Sequence, residues 1–156
     1  MLTKRRLQAL KRERQHGIGR LLLLARRDFL SRLAHKLHDK GGAGLVHAAS
    51  GLLPFIDLEG TRSTELARRL GISKQAVGKA VRDLENEGLL TRATDTADGR
   101  AFLVLFTDKG VNYLLEVHKA INQIEREYDA VVGPDQMVAV RAALGTIVYP
   151  DQDADG

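Results

Sequence analysis

The segment 63-STELARRLGISKQAVGKAVRDLENEG-88 restricts the fold of this chain more than any other part of the sequence. Either Ser63 or Thr64 can cap a first helix, which the next glycine closes. Ser73 can cap a second helix over residues 74–87. Its apolar residues recur at the i, i+4, i+7 spacing of one buried edge: Val77, Val81 and Leu84. Two helices joined by a short glycine-containing turn predict a helix-turn-helix.

A hairpin is predicted directly after the helix pair, in 91-TRATDTADGRAFLVLFT-107. Two runs typical of strands flank a short loop that contains two acids and one arginine: Asp95, Asp98 and Arg100. A helix-turn-helix followed by a hairpin is a winged helix-turn-helix. Asp98 followed by glycine is also favourable turn chemistry, so its role can be structural. Arg92 and Asp95 can form an ion pair at the base of the strands.

Apolar residues at helical spacing predict five further helices, at residues 4–15, 20–40, 45–56, 108–132 and 135–147. The glycines at 41–44 are expected to end the second of these. The fold class is therefore mainly α with a small β-hairpin wing (α+β).

Composition excludes several classes of protein. No cysteine is present, which rules out disulfides, thiol redox sensing and thiolate zinc sites. The N-terminus has no apolar segment of a signal peptide. The longest apolar run in the N-terminal helix, residues 21–25, is far below the roughly 20 residues that span a bilayer. We expect a cytoplasmic protein with no membrane segment.

Charge is distributed unevenly along the chain. Residues 1–40 carry twelve Lys/Arg against three Asp/Glu, a net charge of +9, and residues 101–156 carry four against nine, a net charge of −5. Either the two ends pack together or the basic end meets a polyanion. A solvated charged face explains the same asymmetry.

The second helix of the pair has a basic N-terminal half and an acidic C-terminal half. Such a helix suits entry into the major groove by its N-terminus, since the helix dipole and the lysines meet phosphate there. Gln75 can pair with adenine, Ala76 can contact a thymine methyl, and Lys79 can reach guanine or phosphate. Gly78 costs about 1 kcal/mol relative to alanine. Close approach of the backbone to DNA would explain this glycine, and so would a tolerated accident.

From about residue 60 to residue 110 the sequence resembles the MarR family of bacterial transcription regulators. The resemblance rests on 65-ELARRLGISKQAVGKAVRDLENEGLLTR-92, on the TDKG that begins the next helix, and on the spacing of four hairpin residues: Arg92, Asp95, Asp98 and Arg100. It implies a dimeric, sequence-specific transcriptional regulator that binds double-stranded DNA at a pseudo-palindromic site. It further implies a repressor released by a small-molecule ligand.

The resemblance also assigns parts and residues. In the family the wing arginine enters the minor groove and a nearby aspartate holds it, which gives these roles to Arg100 and Asp98. The predicted parts are a basic N-terminal extension (1–16), a helical dimerisation region (17–57 and 107–148), a winged helix-turn-helix DNA-binding domain (58–106) and an acidic disordered tail (149–156). The predicted DNA-binding residues are Thr64, Ser73, Lys74, Gln75, Ala76, Gly78, Lys79, Arg82, Asp98 and Arg100.

Many family members bind a small aromatic or phenolic effector in a crevice between the dimerisation region and the reading head. The candidates in this sequence are Arg20, Arg27, His35, His47 and Phe55. No cofactor is predicted. Some relatives sense zinc through histidines, and His35, His38 and His47 lie near one another in sequence. An exposed pair of helix residues is the favoured interpretation of His35 and His38, so no metal site is predicted.

Two other functions compete with DNA binding. A winged helix that binds a protein partner instead of DNA is the alternative, although the retained Lys74, Lys79, Arg82 and Arg100 oppose it. An enzyme is not predicted, because no nucleophile–base pair, phosphate-binding glycine loop or paired carboxylate occurs in a recognisable context.

Overall fold

The computed structural model describes residues 3–37, 42–95 and 101–149. The helices are α1 (Lys4–His16), α2 (Ile18–Lys36), α3 (Gly42–Leu52), α4 (Ser63–Leu70), α5 (Lys74–Asn86), α6 (Asp108–Val132) and α7 (Pro134–Val148). A 3₁₀ turn, Leu53–Phe55, follows α3. The strands are β1 (Thr61–Arg62), β2 (Leu90–Thr94) and β3 (Phe102–Phe106). The chain forms two compact units, Met1–Val117 and His118–Gly156.

The core of the first unit lies beneath the predicted helix pair. Val77, Val81 and Leu84 of α5 are at most 1% exposed, which confirms the buried edge expected from their spacing. Leu66 of α4 and Val104 of β3 are fully buried in the same cluster. This core fixes α5 so that its opposite face points to solvent.

The predicted hairpin is observed as β2 and β3, which pair antiparallel from Leu90 opposite Phe106 to Thr94 opposite Phe102. A third strand, β1, pairs antiparallel with the other edge of β3, so the strand order is β1-β3-β2. The sequence did not predict β1, because two residues are too short to show a periodicity.

The predicted cap of α4 was wrong. Arg62 occupies the N-cap position without a side-chain hydrogen bond, and Ser63 and Thr64 lie inside the helix. The Ser63 hydroxyl oxygen instead accepts a hydrogen bond from the Phe102 backbone N–H at 3.3 Å. This serine therefore joins α4 to β3.

The glycines before α3 were also misassigned. Helix α2 ends at Lys36, and residues 42–44 already belong to α3, so glycine does not set the end of α2. Gly17 alone separates α1 from α2. A Cβ atom on Gly17 would lie 2.9 Å from the Glu13 carbonyl oxygen, which explains why this bend contains glycine.

The helices outside the winged domain expose many apolar side chains. Helices α1 and α7 contain no buried residue. No single helix in the described ranges is long and apolar enough to cross a membrane. The bent pair α6 and α7 meets that test by length and composition alone.

Candidate nucleic-acid interface

The turn between α4 and α5 begins the candidate reading helix. Gly71 ends α4 with a φ of 63°, a left-handed conformation that glycine adopts without strain. The Ser73 hydroxyl oxygen accepts a hydrogen bond from the Ala76 backbone N–H at 3.1 Å, which confirms the predicted cap. The first turn of α5 is therefore held in place before any ligand binds.

Five predicted DNA-binding residues share the solvent-facing side of α5. They follow the cap, and all are exposed: Lys74, Gln75, Ala76, Lys79 and Arg82. The positive end of the helix dipole lies at the same end as Lys74. This surface combines cations with one amide that can make two hydrogen bonds to a base edge.

Gly78 lies in the middle of α5 and is buried. A Cβ atom at this position would meet only the Arg82 Nη1 atom, at 3.7 Å, which is ordinary van der Waals contact. Packing within the described protein therefore does not require glycine here.

Lys79 has a partner within the helix. Its Nζ donates to Asp83 Oδ2 at 2.8 Å, and its side chain is 74% exposed. The predicted DNA contact of Lys79 would thus compete with an intrahelical ion pair.

The predicted wing residues Asp98 and Arg100 lie outside the described residues. The base of the hairpin is described, and there the expected pairing of Arg92 with Asp95 was wrong. Arg92 pairs with Glu85, with Nη2 at 2.8 Å from Oε2. Asp95 lies 2.7 Å from Arg62 Nε, a contact that is close but not aligned as a hydrogen bond.

Neither Arg62 nor Glu85 was predicted as an ion-pair partner from the sequence. Arg62 belongs to the unpredicted strand β1. Glu85 precedes Arg92 by seven residues across a tight turn, and the charge pattern of an isolated helix could not reveal this pairing.

Below the reading helix, Arg69 of α4 joins two elements through an ion-pair cluster. Its guanidinium donates to the Phe55 carbonyl oxygen at 2.9 Å, to both Asp57 carboxylate oxygens, and to Glu65 Oε1 at 2.9 Å. Glu65 also accepts two hydrogen bonds from Arg68. Arg68, and then Arg69, lower the pKa of Glu65 to about 2. The hydrogen bond from Arg69 is the main cause of the lowered pKa of Asp57.

A cavity of about 650 Å³ adjoins this cluster and includes the predicted site residue Thr64. Thr64 is half-buried as the second residue of α4. The other lining residues are Asp57, Gly60, Thr61, Arg62, Glu65, Arg68, Arg69 and Leu103.

The five effector candidates lie on α2, α3 and the 3₁₀ turn. Arg20 lines a cavity of about 450 Å³ with residues of α1, whose lining holds none of the other four candidates. Arg27 and His35 are exposed on α2, and His47 is exposed on α3. Phe55 contributes its backbone carbonyl to the Arg69 cluster. A pocket shared by all five residues stays a prediction.

A different cavity, of about 360 Å³, lies between α3, the turn after α5 and the start of α6. Tyr113 is buried in its wall, and burial raises the pKa of its hydroxyl. Its remaining lining residues are Leu45, Glu87, Leu89, Lys109, Asn112 and Glu116. None of these residues was predicted as a ligand contact, because a buried tyrosine cannot be distinguished from a core residue by spacing.

Of the three histidines considered as zinc ligands, His38 lies outside the described residues. Within residues 3–37, 42–95 and 101–149, no group of three or more histidines and acids could hold a metal ion.

Residues 43–101 match the family model of the MarR family. The transcriptional regulator AdcR of Streptococcus pneumoniae serotype 2 (strain D39 / NCTC 7466) is 34% identical over 71 residues, covering 46% of this chain and 49% of AdcR. The chain thus spans about half the length of this curated relative.

Two solved structures share the fold over most of both chains. The transcriptional repressor CouR bound to a 23-mer DNA duplex has a TM-score of 0.69 and 25% identity, covering 88% of this chain and 96% of that chain. CouR from Rhodococcus jostii RHA1 bound to p-coumaroyl-CoA has a TM-score of 0.66 and 23% identity, covering 88% of this chain and 95% of that chain. These similarities confirm the predicted winged-helix fold class.

Proposed function

From the match of residues 43–101 to the family model of the MarR family, we propose that this chain is a MarR-family protein and a dimeric, sequence-specific transcriptional regulator that binds double-stranded DNA. MarR-family regulators are non-enzymatic DNA-binding proteins, in agreement with the prediction that the chain is not an enzyme. The observation that carries the proposal is the outward face of α5, where cations and Gln75 are exposed while Val77, Val81 and Leu84 are buried.

In the proposed complex the N-terminal half of α5 lies in the major groove. Gln75 reads adenine through two hydrogen bonds, and Lys74 and Arg82 contact phosphates. Arg100 enters the minor groove of AT-rich flanks, where negative potential is concentrated, and Asp98 orients it. CouR, which shares this fold, is bound to a DNA duplex, which supports DNA binding by this chain.

The proposed homodimer is supported by the exposed apolar side chains outside the winged domain. Large contiguous apolar surfaces are uncommon on monomers and mark interaction sites. The first unit exposes Leu7, Leu10, Ile18, Leu21, Leu22 and Leu23, and the second exposes Val138, Val140, Leu144, Ile147 and Val148. Two reading heads would then match the two halves of a pseudo-palindromic site.

We further propose that the protein is a repressor released by a small aromatic or phenolic effector. The support is the bound state of CouR with p-coumaroyl-CoA. The residues proposed to contact the effector remain Arg20, Arg27, His35, His47 and Phe55.

Selection of fragmented genomic DNA by purified protein at two salt concentrations tests the DNA-binding proposal. We expect an inverted repeat to be enriched, Gln75→Ala to alter the selected motif, and Arg100→Ala to weaken binding most on AT-rich flanks. Lys74→Ala should reduce the salt slope by about one, as a lost phosphate contact does. Lys119→Ala, on α6, is the matched charge control.

Other outcomes separate the alternatives. Salt-sensitive binding without an enriched motif would contradict sequence-specific reading and favour a protein-binding winged helix. Sedimentation analysis tests the dimer, since Ile147→Asp should produce monomers if α7 forms the interface. If the variant stayed dimeric, α7 would not be part of the dimer interface.

A further inference from the structure

Arg92 connects three elements of the winged domain. It lies in β2, its Nε donates to Glu85 Oε1 at 2.9 Å, and its Nη2 lies 2.8 Å from Glu85 Oε2. Glu85 belongs to the last turn of α5. The guanidinium carbon is also 5.2 Å from the ring centroid of Phe102 in β3. One side chain therefore contacts the reading helix and both strands of the hairpin.

The geometry of this contact fixes orientation as well as distance. The hydrogen bond from Nε and the close contact of Nη2 hold the guanidinium against both oxygens of the carboxylate. The Phe102 ring restricts the same group from a second direction by a cation–π contact. The Arg92 and Glu85 side chains are 36% and 20% exposed, so water competes only partly for these contacts.

The backbone hydrogen bonds between the end of α5 and the start of β2 are confined to the turn that joins them. The Leu89 N–H donates to the Leu84 carbonyl at 2.9 Å, and the Gly88 N–H donates to the Glu85 carbonyl at 2.8 Å. Both bonds lie before the first residue of β2. Arg92 lies two residues into that strand, where it can set the direction in which the hairpin leaves the helix.

We propose that Arg92 and Glu85 are positioning residues for DNA recognition. Their ion pair holds the hairpin strands against α5, so that the helix and the wing bind one duplex in register. The pair thereby sets the preference for flanking sequence without contacting DNA. This inference rests on the proposed function. Its physical basis is preorganisation, since a restrained hairpin loses less entropy on binding than a free one.

The test measures dissociation constants for two duplexes that share the selected core and differ only in AT-rich or GC-rich flanks. Glu85→Gln and Arg92→Gln should each reduce the AT-to-GC affinity ratio by about two- to fivefold, the range of a partly exposed ion pair. The exchanged variant E85R/R92E should restore part of the ratio. Asp28→Ala, which breaks a surface ion pair on α2, is the control and should leave the ratio unchanged.

A second arm separates positioning from general loss of stability. In an Arg100→Ala background, Arg92→Gln should have no further effect on the ratio, because the wing contact is already absent. An unchanged ratio in both single variants would overturn the inference alone, and so would an equal loss on both duplexes. Absence of binding by the unmodified protein to any selected duplex would overturn the proposed function together with the inference.

Discussion

Lys79 Nζ lies 2.8 Å from Asp83 Oδ2, one helical turn further along α5. A lysine on the proposed DNA-facing surface is therefore held by an acidic neighbour in the free protein. Binding of phosphate or guanine by Lys79 has to break or share this contact. The intrahelical pair thus acts against the proposed interaction while keeping the side chain ordered.

Asp83→Ala should raise DNA affinity about twofold, because an exposed i,i+4 pair contributes about 0.3–0.5 kcal/mol that binding would otherwise lose. Fluorescence anisotropy with a labelled operator duplex measures the change. The gain should shrink in a Lys79→Ala background. Glu87→Ala removes the same charge from the end of α5 and serves as the control. If it gave the same gain, the cause would be general repulsion and not the pair.

Gly78→Ala separates two explanations for a glycine inside a recognition helix. The position has room for a methyl group, so the free protein should gain up to about 1 kcal/mol of unfolding free energy. If the α5 backbone approaches DNA closely, the same variant should bind operator duplex more weakly. Urea denaturation and anisotropy give the two values. Increased stability with unchanged affinity would show that Gly78 is a tolerated accident.

The elements that could be predicted from the sequence are those with a strong hydrophobic periodicity or a defined helix cap. The buried edge of α5 repeats over three turns, and Ser73 caps the helix through a local hydrogen bond, so neither depends on distant parts of the chain. Even the break before α7 follows from local chemistry, because Gly133 has a φ of 91° and Pro134 begins the next helix.

Partners that depend on tertiary direction could not be predicted. Glu85 becomes the partner of Arg92 only because β2 turns back along α5, and Asp95 meets Arg62 only because β1 adds to the sheet. The cap of α4 failed for a related reason, since the Ser63 hydroxyl contacts β3 and not its own helix. In each case, the position of a strand that is distant in sequence determines which contact the side chain makes.

The ion pairs between Arg69, Arg68 and Glu65 should make part of the unfolding free energy sensitive to acid. The pKa of Glu65 is about 2 in the folded protein against an ordinary value of 4.5, so the unfolded chain binds more protons between these values. The contribution of Glu65 is complete above about pH 4.5 and is lost as the pH falls towards 2. Glu65→Gln should therefore be less stable than the unmodified protein at pH 7, and the difference should shrink below pH 4.5.

Urea denaturation at several pH values between 2 and 7 measures this difference. Glu59→Gln is the matched control, because Glu59 is exposed near the same turn and makes no ion pair with the described residues. Parallel curves for Glu65→Gln and the unmodified protein would show that the cluster is not formed in solution.

We expect the largest effect of a single added methyl group on stability at Gly110, in the first turn of α6. A Cβ atom there would overlap the Leu89 carbonyl oxygen, which belongs to the turn between α5 and β2. Thr107 fixes the same approach, since its hydroxyl donates to the Gly88 carbonyl and accepts from the Gly110 N–H at 3.0 Å. Gly110→Ala should lower the unfolding free energy by about 1–3 kcal/mol, as overpacking does.

Gly51→Ala, in open space on α3, should instead be neutral or stabilising in the same urea denaturation series. Equal effects of the two variants would contradict the close approach of α6 to that turn.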